Sequence, residues 1–198
     1  MAKEIKELKL GVNYDLDNTL DILLYADDII LAAENEKDLQ KMLKCAERWC
    51  KKWRLRVNLS KTQIMHFRRI GNKRSKFQFD FWDHRLEYVE NYKYLGFVLD
   101  EHMNYQQGIH VLAESASRAL GGIIAKTKQL GNLGYAAYSK LFHTCVCPVM
   151  DYMAGIWGSK VNVRGEMVQN RAIRYFLGVI NSPRSWQYQE TWDGIQVK

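Results

Sequence analysis

The sequence predicts an α+β fold in two parts, a small antiparallel sheet with a packed helix in residues 1–104 and an all-helical part in residues 105–180. Before Tyr105 the apolar residues alternate with polar ones or form short runs, whereas after it they recur at helical spacing. The content of 47% hydrophobic residues is ample for a packed core. Residues 181–198 have no clear period, and we expect a loosely ordered tail there.

Two adjacent aspartates, Asp27 and Asp28, interrupt an otherwise apolar stretch near the start of the chain. The short runs 22–26 (ILLYA) and 29–33 (IILAA) on either side predict a β-hairpin with the aspartates at or near its turn. We expect both carboxylates to lie at strand ends, partly shielded from water. Because two negative charges so close together repel each other, a divalent metal ion is the natural compensation.

The next segment has the period of an amphipathic helix. Asn35 is a plausible N-cap, and one face carries apolar residues that we expect to pack on the sheet: Leu39, Met42, Leu43, Ala46, Cys50 and Trp53. We therefore interpret Trp53 as a core residue before a base-stacking one. The cations lie mostly on the remaining surface of the helix.

The net charge of +7 is unevenly distributed. Residues 1–36 contain three Lys and nine Asp or Glu, while residues 37–76 contain fourteen Lys or Arg against two acidic residues. Aromatic side chains interrupt this basic block, as in surfaces that bind phosphates and stack on bases. The candidate nucleic-acid-binding residues are Lys44, Arg48, Lys51 and Lys52. An ordinary solvated helix face is the alternative explanation of the same charges.

Further strands and helices follow from turn signals. A turn at Asn58 to Lys61 leads into a strand. Residues 76–100 then alternate like two or three further strands, which predict a β-meander after it. After Tyr105, helical spacing continues to a turn at Gly131 and Gly134, then to an interruption at Pro148, and a last helix stops at Gly178.

The cysteines and the lack of an evident targeting signal indicate the cellular compartment that we expect. Four cysteines in two close pairs favour reduced thiols, and no signal peptide or membrane span is evident, so we expect an intracellular protein, nuclear or cytoplasmic. His143, Cys145 and Cys147 are three potential metal ligands. The alternative, which we favour, is that they are buried helix residues.

Several motifs occur in the order and spacing found in one family. "LLYADDIILAAENEKDLQKML", "NLSKTQIMHF" and "NYKYLGFVLD", followed by "CPVMDYMAGIWG" and "VQNRAIRYFLGV", resemble the reverse transcriptases of non-LTR (LINE-type) retrotransposons over about residues 5–180. The resemblance implies that residues 1–104 are a partial polymerase palm and residues 105–180 a helical thumb. It also implies RNA template and DNA primer as partners.

The resemblance also implies roles for particular residues. Asp27 would be the principal ligand of the catalytic magnesium ions, with Asp28 supporting it, and Lys61 would lie near the departing pyrophosphate. Tyr94, Leu95 and Gly96 match the hairpin that grips the primer end. Magnesium is the expected cofactor, because hard cations prefer carboxylate oxygens and two such ions activate the nucleophile and neutralise the leaving group.

One departure from the family affects the expected activity. Members carry another essential aspartate on an earlier strand, with fingers before it, whereas only 26 residues precede Asp27 here. Asp15, Asp17 and Asp21 are better explained as parts of the segment that leads into the hairpin. The sequence thus resembles the C-terminal half of a polymerase, with weak or absent magnesium binding and no polymerisation by the isolated chain. A non-catalytic nucleic-acid-binding module and a protein-interaction scaffold without either activity are the alternatives.

Overall fold

The computed structural model describes residues 1–16, 18–131, 133–159 and 162–178. The tail predicted for residues 181–198 lies outside these ranges. The chain forms two compact units, Met1–Glu90 and a second that begins at Asn91. The first unit mixes helices with small sheets and the second is mainly helical, in agreement with the α+β class.

The first unit begins with short elements that lead into one long helix. A helix and two small antiparallel hairpins precede it: α1 (Ala2–Glu7), β1 (Val12–Asn13) paired with β2 (Thr19–Leu20), and β3 (Ile22–Tyr25) paired with β4 (Asp28–Leu31). The long helix, α2, spans Glu36–Lys52. The β3–β4 hairpin is the one that the sequence predicts around the adjacent aspartates.

Helix α2 begins where the sequence predicts. The side chain of Asn35 accepts a hydrogen bond from the backbone N–H of Asp38 at 3.0 Å, which satisfies one of the free donors of the first turn. The apolar face is buried, with Met42, Leu43 and Ala46 in the core of the unit. Trp53 is the exception. It is 59% exposed, so its assignment to the core was wrong, because the helix ends at Lys52 and Trp53 forms its C-cap.

The rest of the first unit contains a three-stranded sheet. After a 3₁₀ turn at Leu59–Lys61, strand β5 (Gln63–Ile64) pairs parallel with β7 (His84–Tyr88), which pairs antiparallel with β6 (Phe79–Phe81). The prediction of an antiparallel sheet was therefore wrong at β5. The strands of residues 76–100 lie in two separate sheets, so the single meander predicted there was wrong as well. The long connection between β5 and β6 allows β5 to reach the free edge of β7 in parallel, whereas β6 and β7 are joined by only two residues.

The second unit begins with a hairpin and continues as helices. Its elements are β8 (Asn91–Tyr94), β9 (Phe97–Asp100), α3 (Gln106–Leu130), α4 (Tyr135–Cys145), α5 (Cys147–Met150), α6 (Ala154–Trp157) and α7 (Val163–Phe176). The hairpin belongs with the helices because Phe97 is buried against Ile109 and Leu112 of α3. A Cβ at Gly108 would lie 2.6 Å from the ring of Phe97, so glycine permits this close approach.

The helices of the second unit share one core. Tyr138 of α4 is buried there and donates a hydrogen bond to the carbonyl oxygen of Ala172 in α7 at 3.1 Å. Burial, reinforced by the neighbouring Tyr175, raises the pKa of Tyr138 to about 12, so the hydroxyl keeps its proton and remains a donor.

The predicted helix ends are found in the second unit. Gly131 follows α3 at φ 85°, Gly178 follows α7 at φ 67°, and Pro148 lies in the first turn of α5, just after α4 ends. Among the described residues, no helix combines the length and apolar character needed to cross a bilayer.

Candidate functional site

Asp27 and Asp28 occupy the tight turn of the β3–β4 hairpin. Tyr25 pairs with Asp28, so only Ala26 and Asp27 form the loop. Ala26 has a φ of 48°, in the left-handed region that costs a non-glycine residue about 1–2 kcal/mol. The hairpin therefore places Asp27 at its tip and Asp28 at the first position of β4, as the sequence predicts.

Both carboxylates are exposed to solvent, and the expectation that they are partly shielded was wrong. Neither side chain makes a hydrogen bond or ion pair with a described residue. The apolar side chains of Leu24, Tyr25 and Ile29 beside them are exposed as well. The reason is topological, because β3 and β4 pair only with each other in the part of the chain that the structure describes.

The donors at this turn do not fit a two-magnesium centre. Across residues 1–16, 18–131, 133–159 and 162–178, no group of three or more His, Cys, Asp or Glu side chains could hold a metal ion. Magnesium requires six oxygen ligands in near-octahedral geometry, and Asp27 and Asp28 are neither held in place by hydrogen bonds nor joined by a third carboxylate. The turn by itself therefore offers two carboxylates, fewer ligands than such a centre needs.

Asp21, which directly precedes strand β3, has a structural role. It is 4% exposed, and its carboxylate accepts hydrogen bonds from the backbone N–H of Gly11 at 2.9 Å and from the hydroxyl of Thr19 at 3.1 Å. Its backbone carbonyl accepts the N–H of Ala32. Asp21 therefore connects the base of the hairpin to the preceding segment. This agrees with its interpretation as part of the segment that leads into the hairpin.

Lys61 lies at the end of the 3₁₀ turn that precedes β5. The backbone carbonyl of Asn58 accepts hydrogen bonds from the N–H of Lys61 at 3.1 Å and from the hydroxyl of Thr62 at 2.9 Å, which confirms the predicted turn. The Lys61 side chain is exposed. Among the described residues, no hydrogen bond or ion pair joins Lys61 to Asp27 or Asp28.

The outer face of α2 carries a stripe of cations. Lys44 forms an ion pair with Glu47 at 2.7 Å. Arg48, Lys51 and Lys52 are exposed, and none of them pairs with an acidic residue in the described part of the chain. Of the four predicted nucleic-acid-binding residues, three therefore present uncompensated positive charge and one is partly neutralised.

Polar contacts hold α2 against the edge of the three-stranded sheet. The Gln40 side chain donates to the carbonyl of Asp80 at 2.8 Å and accepts the N–H of Asp80 at 3.0 Å, while Glu47 accepts the N–H of Trp82 at 2.6 Å. These contacts fix the rotation of the helix about its axis. The cationic stripe consequently faces away from the core.

Acidic residues near the start of α2 neutralise part of its charge. A hydrogen bond from Lys41, together with one from Asn35, holds the pKa of Asp38 below its ordinary range. Asp38 is therefore ionised at neutral pH and pairs with Lys41 at 2.8 Å. The uncompensated charge is concentrated in the last two turns of the helix.

Sequence reasoning missed two cations that follow the helix. Arg54 and Arg56 are exposed and continue the positive charge of Lys51 and Lys52 beyond the end of α2. The signal was present as the run KKWRLR, in which four of six residues are cationic. It was overlooked because Trp53 was assigned to the core.

Tyr94, Leu95 and Gly96 form the tip of the β8–β9 hairpin in the second unit. Tyr94 pairs with Phe97, and the loop residues Leu95 and Gly96 both have positive φ, 48° and 89°. The Tyr152 hydroxyl donates a hydrogen bond to the carbonyl of Leu95. The tip is therefore anchored to the turn between α5 and α6.

The candidate metal ligands of the second unit do not form a three-residue site. The Cys147 sulfur lies 3.5 Å from Nδ1 of His143, but Cys145 and His143 are exposed. Their interpretation as buried residues was wrong for His143 and Cys145, because Phe142 and Val146 take the core positions of this segment, while Cys147 is half-buried beside them. All four cysteines are free thiols. Burial, with the charge of Asp151, raises the pKa of Cys147 and keeps it protonated.

Comparison with known proteins finds a similarity in the first half of the chain. Residues 2–99 match the family model described as reverse transcriptase (RNA-dependent DNA polymerase). This range includes the β3–β4 hairpin, α2, the turn before β5 and the β8–β9 tip. No solved structure is significantly similar to the chain.

Two curated proteins are similar at modest identity. One is an uncharacterized transposon-derived protein of Caenorhabditis elegans, 27% identical over 135 residues, covering 68% of this chain and 48% of that protein. Another is the "Probable RNA-directed DNA polymerase from transposon BS" of Drosophila melanogaster, 27% identical over 159 residues, covering 76% of this chain and 18% of that protein. The chain thus spans less than half the length of either relative.

The structure predicts that substitutions of two aspartates differ in their effect on the free energy of unfolding. Asp21→Ala should lower the free energy of unfolding by about 1–3 kcal/mol, because it leaves the buried N–H of Gly11 without its acceptor. Asp27→Ala should change it by less than about 0.5 kcal/mol, since that side chain is exposed and without a partner among the described residues. Urea unfolding measures both. Equal losses in the two variants would contradict these assignments.

Proposed function

We propose, from the premise that residues 2–99 are a reverse transcriptase-type sequence, that the chain is part of a reverse transcriptase from a retrotransposon of the non-LTR, LINE type. In this proposal residues 1–104 correspond to part of the palm and residues 105–180 to the thumb. RNA template and DNA primer are the corresponding partners. Tyr94, Leu95 and Gly96 would contact the primer, and Lys61 the departing pyrophosphate.

The observation that supports the proposal best is the hairpin that places Asp27 at its tip. The two-residue loop presents two adjacent carboxylates to solvent at the end of the hairpin. The end of a nucleic-acid strand can approach them there. The residues of the turn before β5 follow α2 within the same matched region. The order of these parts agrees with a polymerase palm.

We further propose that this chain alone does not extend a primer. Polymerisation by two metal ions needs carboxylates that hold both ions in line with the reacting oxygens. The described residues offer only the exposed pair Asp27 and Asp28, with no third ligand beside them. Asp27 and Asp28 would then be two ligands of a centre that another segment must complete.

A primer-extension assay tests this proposal. With an annealed RNA template, a labelled DNA primer, nucleotides and magnesium, the 198-residue chain should give no extension above a reaction without protein. The matched variants are Asp27→Ala and Asp83→Ala, which alter the second residue of two similar two-residue loops in the same unit. Extension that is lost in Asp27→Ala and kept in Asp83→Ala would overturn the claim that the chain is inactive by itself.

A second candidate function is nucleic-acid binding without catalysis. The observation that favours it is the row of exposed, unpaired cations formed by Arg48, Lys51 and Lys52 at the end of α2, in the part of the chain that the structure describes. Cations spaced along one helix face can contact successive phosphates and release condensed counterions. This function does not require Asp27 or Asp28.

Neutralising the stripe should weaken binding to duplex nucleic acid. For the triple change of Arg48, Lys51 and Lys52 to Gln, the slope of log affinity against log salt should fall by about 0.9 for each phosphate that the variant no longer neutralises. Fluorescence anisotropy at several salt concentrations measures the slope. The control changes Lys3, Lys6 and Lys9 to Gln, which removes the same charge from exposed positions of the same unit.

Three results distinguish this candidate from a general effect of net charge. Only the α2 variant should have a smaller slope, while the control variant and Asp27→Asn should bind as the unchanged protein does. An affinity that does not depend on salt would contradict phosphate binding. Equal decreases in the two triple variants would contradict the assignment to α2.

A further inference from the structure

The chain after α2 is held in a defined conformation by the end of the helix. The backbone N–H of Leu55 donates to the carbonyl of Cys50 at 2.9 Å, and that of Arg54 donates to the carbonyl of Lys51 at 3.3 Å. This pair of bonds is the Schellman motif that closes many helices. Arg54 takes the left-handed position, φ 54°, where glycine is usual. Residues 53–55 are therefore fixed relative to the helix.

This conformation leaves a large aromatic ring in solvent. Trp53 is 59% exposed, and its ring centroid lies 6.1 Å from that of Trp49, with the planes tilted by 43°. A tryptophan has much apolar surface to bury, so its exposure beside a folded core is more informative than that of a smaller side chain. The ring therefore lies near that of Trp49 and leaves more than half of its surface open to solvent.

Cations flank Trp53 in the sequence. Lys51, Lys52, Arg54 and Arg56 are all exposed, and none is paired with an acidic residue among the described ranges. The sequence contains no Asp or Glu between Glu47 and Asp80, so the local charge is not neutralised within that segment. Flat apolar surface and positive charge are therefore combined within six consecutive residues.

We infer that Trp53, with Lys52, Arg54 and Arg56, forms a binding site for single-stranded nucleic acid. A base would stack on the open face of Trp53, while the three cations contact the phosphates on either side of it. The faces of duplex bases are covered by their neighbours, so the ring selects unpaired bases. This inference deepens the proposed nucleic-acid binding and rests on it, but it assigns a different nucleic-acid form to an adjoining surface that shares Lys52 with the stripe.

The arrangement fits a single strand better than a membrane surface. Interfacial membrane binding uses a broad apolar face along a helix. Here the apolar face of α2 is buried in the core, and Trp53 and Leu55 alternate with cations after the helix has ended. One ring between charges offers a surface for stacking a base beside cations that can contact phosphates, as proteins that bind single strands do.

Anisotropy with labelled oligonucleotides tests the inference on the full chain. The probes are a DNA strand of about 12 nucleotides, an RNA strand of the same sequence, and the corresponding DNA duplex. Trp53→Ala should weaken binding of both single strands by about five- to one-hundred-fold, the range for removal of one stacked base. Trp53→Phe should keep most of the affinity. Tyr14→Ala removes an exposed aromatic from the acidic segment and should have no effect.

A second variant separates binding from folding. Arg54→Gly places glycine at a left-handed position, so it should fold at least as stably as the unchanged chain, yet bind single strands more weakly because a cation is removed. Its melting temperature and that of Trp53→Ala are measured alongside binding. A Trp53→Ala variant that is folded, and weakened for strands but not for the duplex, supports the site.

The possible outcomes distinguish this inference from the proposed function. Duplex binding that depends on Arg48 and Lys51, with strand binding unaffected by Trp53→Ala, would overturn the inference and keep the proposed function. Binding of single strands that depends on Trp53, in a protein that does not bind the duplex, would keep the inference and overturn the proposed duplex binding. Equal decreases for strand and duplex, absence of binding to every probe, or Trp53-dependent binding only to anionic vesicles would each overturn the inference.

Discussion

The packing of α2 determines which surfaces of the first unit are available for function. Met42, Leu43 and Ala46 are buried in its core, and the paired hydrogen bonds between Gln40 and Asp80 fix the helix against the sheet edge. A rotation of one residue, about 100°, would place cations in the core, where burying a charge costs a large amount of free energy. The outward position of the positive stripe is thus a consequence of how the core is built.

Features governed by local periodicity could be predicted from the sequence. The β3–β4 hairpin, the start of α2 at Asn35 and the helix ends at Gly131 and Gly178 follow from neighbouring residues, and the structure confirms them. Trp53 could not be placed in this way. Helical spacing puts it in line with Cys50, but the helix ends one residue earlier, and the Schellman motif depends on Arg54 adopting a conformation that sequence patterns assign to glycine.

Features governed by pairing at a distance were predicted less well. The parallel partner of β5 is a strand far along the chain, and the exposure of Asp27 depends on which strands flank its hairpin.

Backbone strain at a hairpin turn is a weak guide to function. Ala26, Trp82 and Leu95 each have positive φ at the first loop position of a two-residue hairpin, so this conformation reflects the turn geometry that short hairpins require.

The response of the melting temperature to magnesium tests most directly whether Asp27 and Asp28 are only part of a metal site. A site with a dissociation constant of about 10 mM adds only about 0.2 kcal/mol at about 5 mM magnesium, which raises the melting temperature by about 1 °C or less. We predict a shift of that size. A rise of several degrees that is abolished by Asp27→Asn and kept in Asp83→Asn would contradict the account, because it would require a complete site within this chain.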